Sequence, residues 1–381
     1  MAPHELLLIP GPSPVVPRVL DALAKPTVSH VGPDMVHDLE EACENLKKIV
    51  FSEGGQPFIV AGAGTLSMEM AVVNTAGPSD RVLVLSQGYF GDRMAQVCRA
   101  FGYDHDVLSS EWGRAVTPSE LQARLEAGSY DIVACTHVDT STGACAPVED
   151  YGRVLAKTGA LFVVDGVCAT GGIAERMDAW GIDVVLTAAQ KCLGAPPGLA
   201  LLVLSETAME KRRRLPAIPA YYADLLRWLP VMRDPSKYFS TPCVNEMRAF
   251  AEATRIVLEE GLEARFRRHA LHAAALRAGL GALGFRLFTD PGFLASTLSV
   301  VRYPEGVDDR AFRARLAENG VVVAGGLAST AGQVFRVGHM GNLAPADVRF
   351  AVEAVERTLA GLGRPVEPGA AGKAVDGVLG A

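Results

Sequence analysis

The chain has 381 residues, 49% of them hydrophobic and 21% charged, with a formal net charge of −7. That balance supports one large domain plus a smaller one, excludes a mostly disordered chain, and argues against a general nucleic-acid binder, which needs a basic face; the lone run Lys211–Arg214 reads as a solvated helix face. Seven scattered cysteines without Cys-x-x-Cys spacing, no long uncharged apolar run and no signal-peptide pattern predict a cytoplasmic protein with buried free thiols, no metal framework and no membrane span.

From residue 57 to about 205, short apolar strands alternate with amphipathic helices. Pro57–Gly64 reads as a strand running into the glycine-rich turn Ala61-Gly62-Ala63-Gly64-Thr65, which opens a helix to about Ala76. Such a turn offers backbone N–H groups and a helix dipole to a phosphate. A plain tight turn and an imperfect dinucleotide fingerprint, Gly62-x-Gly64-x-x-Ser67, are the competing readings. An NAD-dependent dehydrogenase would need an acidic residue after the next strand, Arg81–Leu85, but Ser86-Gln87-Gly88 follows it instead. A helix over Gly91–Phe101 comes next, and Thr117-Pro118-Ser119-Glu120 is a capping box that starts another. Ile132–Thr136, Leu161–Val164, Val184–Thr187 and Leu199–Leu204 are continuous apolar runs, as in parallel strands covered on both faces. The alternation predicts an α/β doubly wound domain, whose ligands bind beyond the C-terminal strand ends.

Pro216–Pro230 is less periodic and is expected to wrap across the molecule or a partner. Residues 245–283 read as two long helices broken near Gly261. Strand signals at Phe285–Phe288, Ser296–Tyr303, Val321–Ala324 and Val334–Val337, with helices near Asp309–Glu318 and over Pro345–Leu362, predict a smaller α+β domain. The expected division is an N-terminal arm (1–20), a large domain (21–255), a small domain (256–363) and a loosely ordered tail (364–381).

Only eight of the 36 basic residues are lysine, so Lys191, set in Leu186-Thr187-Ala188-Ala189-Gln190-Lys191-Cys192-Leu193-Gly194, stands out. Poor hydration there favours the neutral amine that condenses with an aldehyde; a snorkelling lysine is the structural alternative. Asp165 ends the run Leu161–Val164 and needs a cation or a donor; a salt bridge or a helix cap would also serve. The 26-residue separation of Asp165 and Lys191 suits one strand–helix–strand crossover, placing both on adjacent strands facing one ligand. An Asp opposite a Lys across a flat heteroaromatic ring is the arrangement that holds pyridoxal phosphate. Arg336, inside Val334-Phe335-Arg336-Val337, needs a planar anion, either a buried protein carboxylate or a substrate carboxylate. His137 and His339 read as structural.

At these residues the chain resembles the class V aminotransferases of pyridoxal phosphate fold type I, nearest the alanine–glyoxylate and serine–pyruvate or serine–glyoxylate group. The resemblance runs from Leu6 to about Leu362. It rests on Pro10-Gly11-Pro12-Ser13, the Gly62–Thr65 turn, Gly88-Tyr89-Phe90-Gly91-Asp92-Arg93, His137 to Gly143, Val164-Asp165-Gly166, Tyr238 with Thr241-Pro242, and Arg336 to Gly341. Most specific is Gln190-Lys191-Cys192-Leu193-Gly194-Ala195-Pro196-Pro197-Gly198. The resemblance implies a large, mainly parallel sheet domain, a smaller C-terminal α+β domain and a ping-pong transaminase moving the amino group of alanine or serine to glyoxylate or pyruvate. Lys191 would be the catalytic lysine, Asp165 would pair with the ring nitrogen, Phe90 would stack on the ring, and Thr140 would meet the ring hydroxyl side. Gly64, Thr65 and Gln190 would contact the phosphate, and Tyr238 and Thr241 would reach the phosphate of a neighbouring subunit in a homodimer. Arg336 would clamp the substrate carboxylate, and Gly11 would line the substrate mouth. Ureidoglycine–glyoxylate aminotransferases differ where this chain has His30 and Tyr238, and pyridoxamine–pyruvate aminotransferases place an acid where Ala63 stands. Both remain as alternatives.

Overall fold

The computed structural model describes residues 5–380. Its centre is a seven-stranded sheet whose spatial order is Gln56–Ala61, Leu199–Leu204, Val184–Ala188, Leu161–Asp165, Ile132–Thr136, Arg81–Ser86 and Asp104–Ser109. The apolar runs read from the sequence are the interior strands, buried along their length because helices cover both faces.

Three features differ from the expectations. The edge strand Asp104–Ser109 is polar and half-exposed, so it carries no apolar run to announce it. Leu199–Leu204 is antiparallel to both neighbours. The connection from Val184–Ala188, which carries Lys191, is too short for the crossover a parallel return needs. Between Asp165 and Lys191 the expected helix is absent: residues 166–183 run as turns, a stretch broken by Gly171, Gly172 and Gly181. Asp165 and Lys191 nevertheless follow adjacent parallel strands, with Asp165 level with Leu186.

The smaller unit is an antiparallel sheet ordered Arg286–Leu287, Leu298–Arg302, Val334–Gly338, Ala324–Gly325. Helices Leu262–Ala282, Asp309–Glu318 and Pro345–Gly361 cover it over a core that includes Phe312, Phe335 and Val352. The single strand expected at Val321–Ala324 is two. Val321–Val322 pairs in parallel with Leu6–Leu7, whereas Ala324–Gly325 pairs with Val334–Gly338. The first pairing threads the N-terminal arm into the small core and delivers Pro10–Ser13 to the large sheet, where the Ser13 N–H donates to the Gln190 carbonyl at 2.9 Å.

The C-terminal segment is not loose. Ala370–Leu379 is a helix packed on Leu262–Ala282, with Ala371 and Val375 fully buried. Two elements the sequence reading passed over, the helices Pro17–Leu23 and Pro33–Ile49, lie against Val244–Glu260. The basic run is part of a helix, but Arg212 is buried in it, donating to Asn74 and Asp224. No helix among the described residues is long and apolar enough to cross a membrane, and no group of His, Cys, Asp or Glu is arranged to hold a metal.

Candidate active site

The C-terminal ends of four large-sheet strands and the turn after a fifth surround a cavity of about 160 Å³. Gly64, Thr65, Phe90, Thr140, Asp165, Gln190 and Lys191 all line it. Gly64 and Thr65 open the helix Gly64–Thr75, whose free N–H groups face this end of the sheet. A larger open groove near Trp180 contains none of these residues.

Asp165 is 1% exposed. Its carboxylate accepts the Val167 N–H at 3.0 Å and the Thr136 hydroxyl at 3.4 Å, and no cationic side chain among the described residues pairs with it. Burial therefore pushes it up to about 7, opposed by the Val167 hydrogen bond and helped by the charges of Asp139 and Glu175. Gln190 Oε1 is likewise buried without a partner. A buried acid lacking its cation and a buried carbonyl lacking its donor suit a bound heterocycle with a protonated nitrogen and polar substituents, as pyridoxal phosphate is.

Lys191 Nζ donates to the Pro10 carbonyl. Gly11 has φ +96°, a conformation that favours glycine, and its bare Cα leaves room for the end of the Lys191 side chain, which a Cβ would displace. Arg336 lies beyond Thr140: its Nε donates to the Gly325 carbonyl at 2.7 Å and its Nη1 to the Thr140 carbonyl at 3.4 Å. Among the described residues it forms no ion pair, and burial lowers its affinity for its proton. Of the two readings left open for it, a protein carboxylate is thus absent.

Tyr238 and Thr241 do not line the cavity of their own chain. They lie within 3.3 Å of each other, with Tyr238 60% exposed and tilted against His30 at 5.4 Å.

Several supporting residues were not assigned from sequence. Asp139 is fully buried and accepts the N–H groups of Phe90 and Gly91 at 2.8 and 3.2 Å, anchoring the start of the helix Tyr89–Ala100 that carries Phe90. It stood inside a recognised run, but nothing local marked it as a cap for a helix 49 residues earlier. Arg265, also fully buried, donates to the carbonyls of Gly171 at 2.9 Å and Cys192 at 2.6 Å and pairs with Glu260 at 2.6 Å. Ser13 Oγ donates to the Lys191 carbonyl at 2.7 Å. The loop bearing Lys191 is thereby tied to both the small unit and the arm. Beneath Asp165, His137 pairs with buried Glu175 at 2.8 Å. Burial disfavours its charged form, but neighbouring Cys145 and Glu175 outweigh that and push it up to about 10. His339 hydrogen-bonds Ser299 at 3.0 Å. Both histidines are therefore structural.

The family model for "Aminotransferase class-V" matches residues 7–352. An uncharacterized aminotransferase of Methanocaldococcus jannaschii is 38% identical over 96% of this chain and 95% of its own. The ureidoglycine–glyoxylate aminotransferase of Bacillus subtilis superposes with a TM-score of 0.95 at 30% identity, covering 100% of this chain and 99% of the other. The alanine–glyoxylate aminotransferase of Nostoc sp. superposes with a TM-score of 0.90 at 34% identity, covering 94% and 96%.

Proposed function

The chain belongs to the class V aminotransferases, enzymes that depend on pyridoxal phosphate, and from that premise we propose that it transfers the amino group of alanine or serine to glyoxylate or pyruvate. The observation that carries this reading is that Lys191 and uncompensated Asp165 line one cavity, while Arg336, without a protein carboxylate among the described residues, reaches the carbonyl of Thr140 in its wall.

When bound, the coenzyme supplies an aldehyde that accepts the amino group and a ring that withdraws electrons from the substrate Cα. Lys191 is the group we assign to move the proton at that Cα, held in place by Pro10, Ser13 and the Arg265 anchor. Asp165, whose buried carboxyl lacks a cationic partner among the described residues, would pair with a protonated ring nitrogen, whose charge would offset its burial. Phe90, fixed through Asp139, is the stacking face. Arg336 offers the N–H groups not engaged by Gly325 and Thr140 to a carboxylate.

Ala63 caps the phosphate-side helix and lines the cavity. An uncharged residue there favours a phosphorylated coenzyme over the pyridoxamine–pyruvate alternative. The pair His30–Tyr238 departs from the ureidoglycine pattern. The exposed Tyr238 and its neighbour Thr241 support a homodimer in which each chain completes the other's phosphate site. A cytoplasmic location accords with seven free thiols.

Steady-state assays across donors and acceptors test the substrate assignment. Alanine or serine with glyoxylate or pyruvate should give the highest kcat/KM. A preference for ureidoglycine, aspartate or pyridoxamine would overturn it.

A further inference from the structure

Arg93 closes the recognised run Gly88–Arg93 but has no role in the reading above. It stands one turn into the helix Tyr89–Ala100, half-buried, and lines the same cavity. Its guanidinium carbon lies 4.8 Å from the Phe90 ring centroid and 5.1 Å from that of Tyr89. Its Nη1 donates to Thr65 Oγ1 at 3.3 Å. Among the described residues it forms no ion pair, unlike exposed arginines such as Arg18 and Arg153.

The chemistry of that contact is one-sided. A guanidinium has donors and no acceptor, so Thr65 Oγ1 must accept from it. The single Thr65 O–H hydrogen is then left to point elsewhere, and Thr65 stands at the start of a helix where an anion is favoured. The phosphate of the coenzyme carries close to two negative charges. Among the described residues, Lys191 and Arg93 are the cationic side chains lining the cavity, and Lys191 would be taken up by the coenzyme aldehyde.

We propose that Arg93 is a positioning residue for the coenzyme phosphate: it fixes the Thr65 hydroxyl as a donor toward the phosphate and supplies the positive charge that end of the cavity otherwise lacks. This rests on the pyridoxal phosphate reading and deepens it.

The test compares two ligands that differ only in the phosphate. Dissociation constants of pyridoxal phosphate and of pyridoxal are measured on the coenzyme-free full chain by absorbance titration, for wild type, Arg93→Gln, Arg93→Lys and Thr65→Ala. In Arg93→Gln, pyridoxal phosphate should bind about 10- to 100-fold more weakly, the range of a lost charge-assisted hydrogen bond, while pyridoxal changes less than about twofold. Arg93→Lys, which keeps charge but not the fork, should fall between. In a Thr65→Ala background the Arg93→Gln effect should shrink, because the two act as a unit. Equal weakening of both ligands would assign Arg93 to the Phe90 platform or the fold and overturn the proposal, as would unchanged pyridoxal phosphate affinity in a folded Arg93→Gln or Arg93→Lys chain. A wild-type chain that binds neither ligand would instead overturn the coenzyme reading itself.

Discussion

Asp165 and Arg336 are charged side chains buried without an ion-pair partner among the described residues, which is costly unless a ligand pairs with them. Asp165 is the clearest case. Its affinity for a proton is raised in the folded chain, so it costs stability above its ordinary range, and the cost grows as pH rises from about 4 to about 7. The full penalty is at most about 4 kcal/mol. Coenzyme-free Asp165→Asn should therefore melt above the wild type at pH 8, with the gap closing by pH 4 to 5, while turnover falls at least about 100-fold. Equal melting at pH 8 would mean that Asp165 is already compensated. Arg336→Ala should raise KM for the amino acid and the oxo acid together, by about 10- to 100-fold, because both share the carboxylate. A change confined to one substrate would remove Arg336 from that role. Lys191, Asp165 and Arg336 were legible because a lone charge interrupts or ends an apolar run. Arg265 was not: it stands in Arg265-Phe266-Arg267-Arg268, where only burial distinguishes one arginine from the next.

Among the elements, the helix Leu262–Ala282 does the most to join the active-site loop to the small sheet. Besides Arg265 it carries His269 and His272, which with His339 form a buried group next to Arg277. Burial first, then the nearby arginines, lowers His269 to about 3 and His272 to about 4, and His339 is lowered well below its ordinary value. The unfolded chain thus takes up protons before the folded one does. Stability should fall as pH drops from about 6.5 toward 4, with a slope of up to about 1.4 kcal/mol per pH unit for each histidine. The buried carboxyls Asp165, Asp139 and Asp183, all raised by burial, act in the opposite direction, so the histidine contribution is read from variants of the histidines themselves. Both ring nitrogens of His272 are buried without partners, so His272→Phe should flatten the decline in melting temperature between pH 6.5 and 4.5. An unchanged slope would show that this group is not its source. The strands were legible wherever both faces are covered, as in Ile132–Thr136. The polar edge Asp104–Ser109 was invisible for the converse reason, and the direction of Leu199–Leu204 was hidden because an apolar run has no polarity.

Across the molecule, Tyr238 and Thr241 stand exposed and outside the cavity of their own chain, free to serve a second copy. If each chain completes the other's site, mixing Lys191→Ala with Tyr238→Ala chains should restore activity. Random pairing makes half the dimers mixed, with one intact site each, so recovery should approach about a quarter of wild type. No recovery on mixing, with subunit exchange verified, would make each site self-contained. This completion could not be read from residue spacing at all, because spacing says nothing about a second copy; it came only from resemblance at Tyr238 and Thr241.

If Lys191 and Asp165 hold pyridoxal phosphate for amino-group transfer, the absorption spectrum must report it. The purified protein, supplied with pyridoxal phosphate, should show a near-visible band that bleaches on adding L-alanine or L-serine and returns with glyoxylate or pyruvate. The band should be missing in Lys191→Ala. A wild-type protein with no such band after incubation with the coenzyme, or a band indifferent to every amino acid tried, would contradict the account.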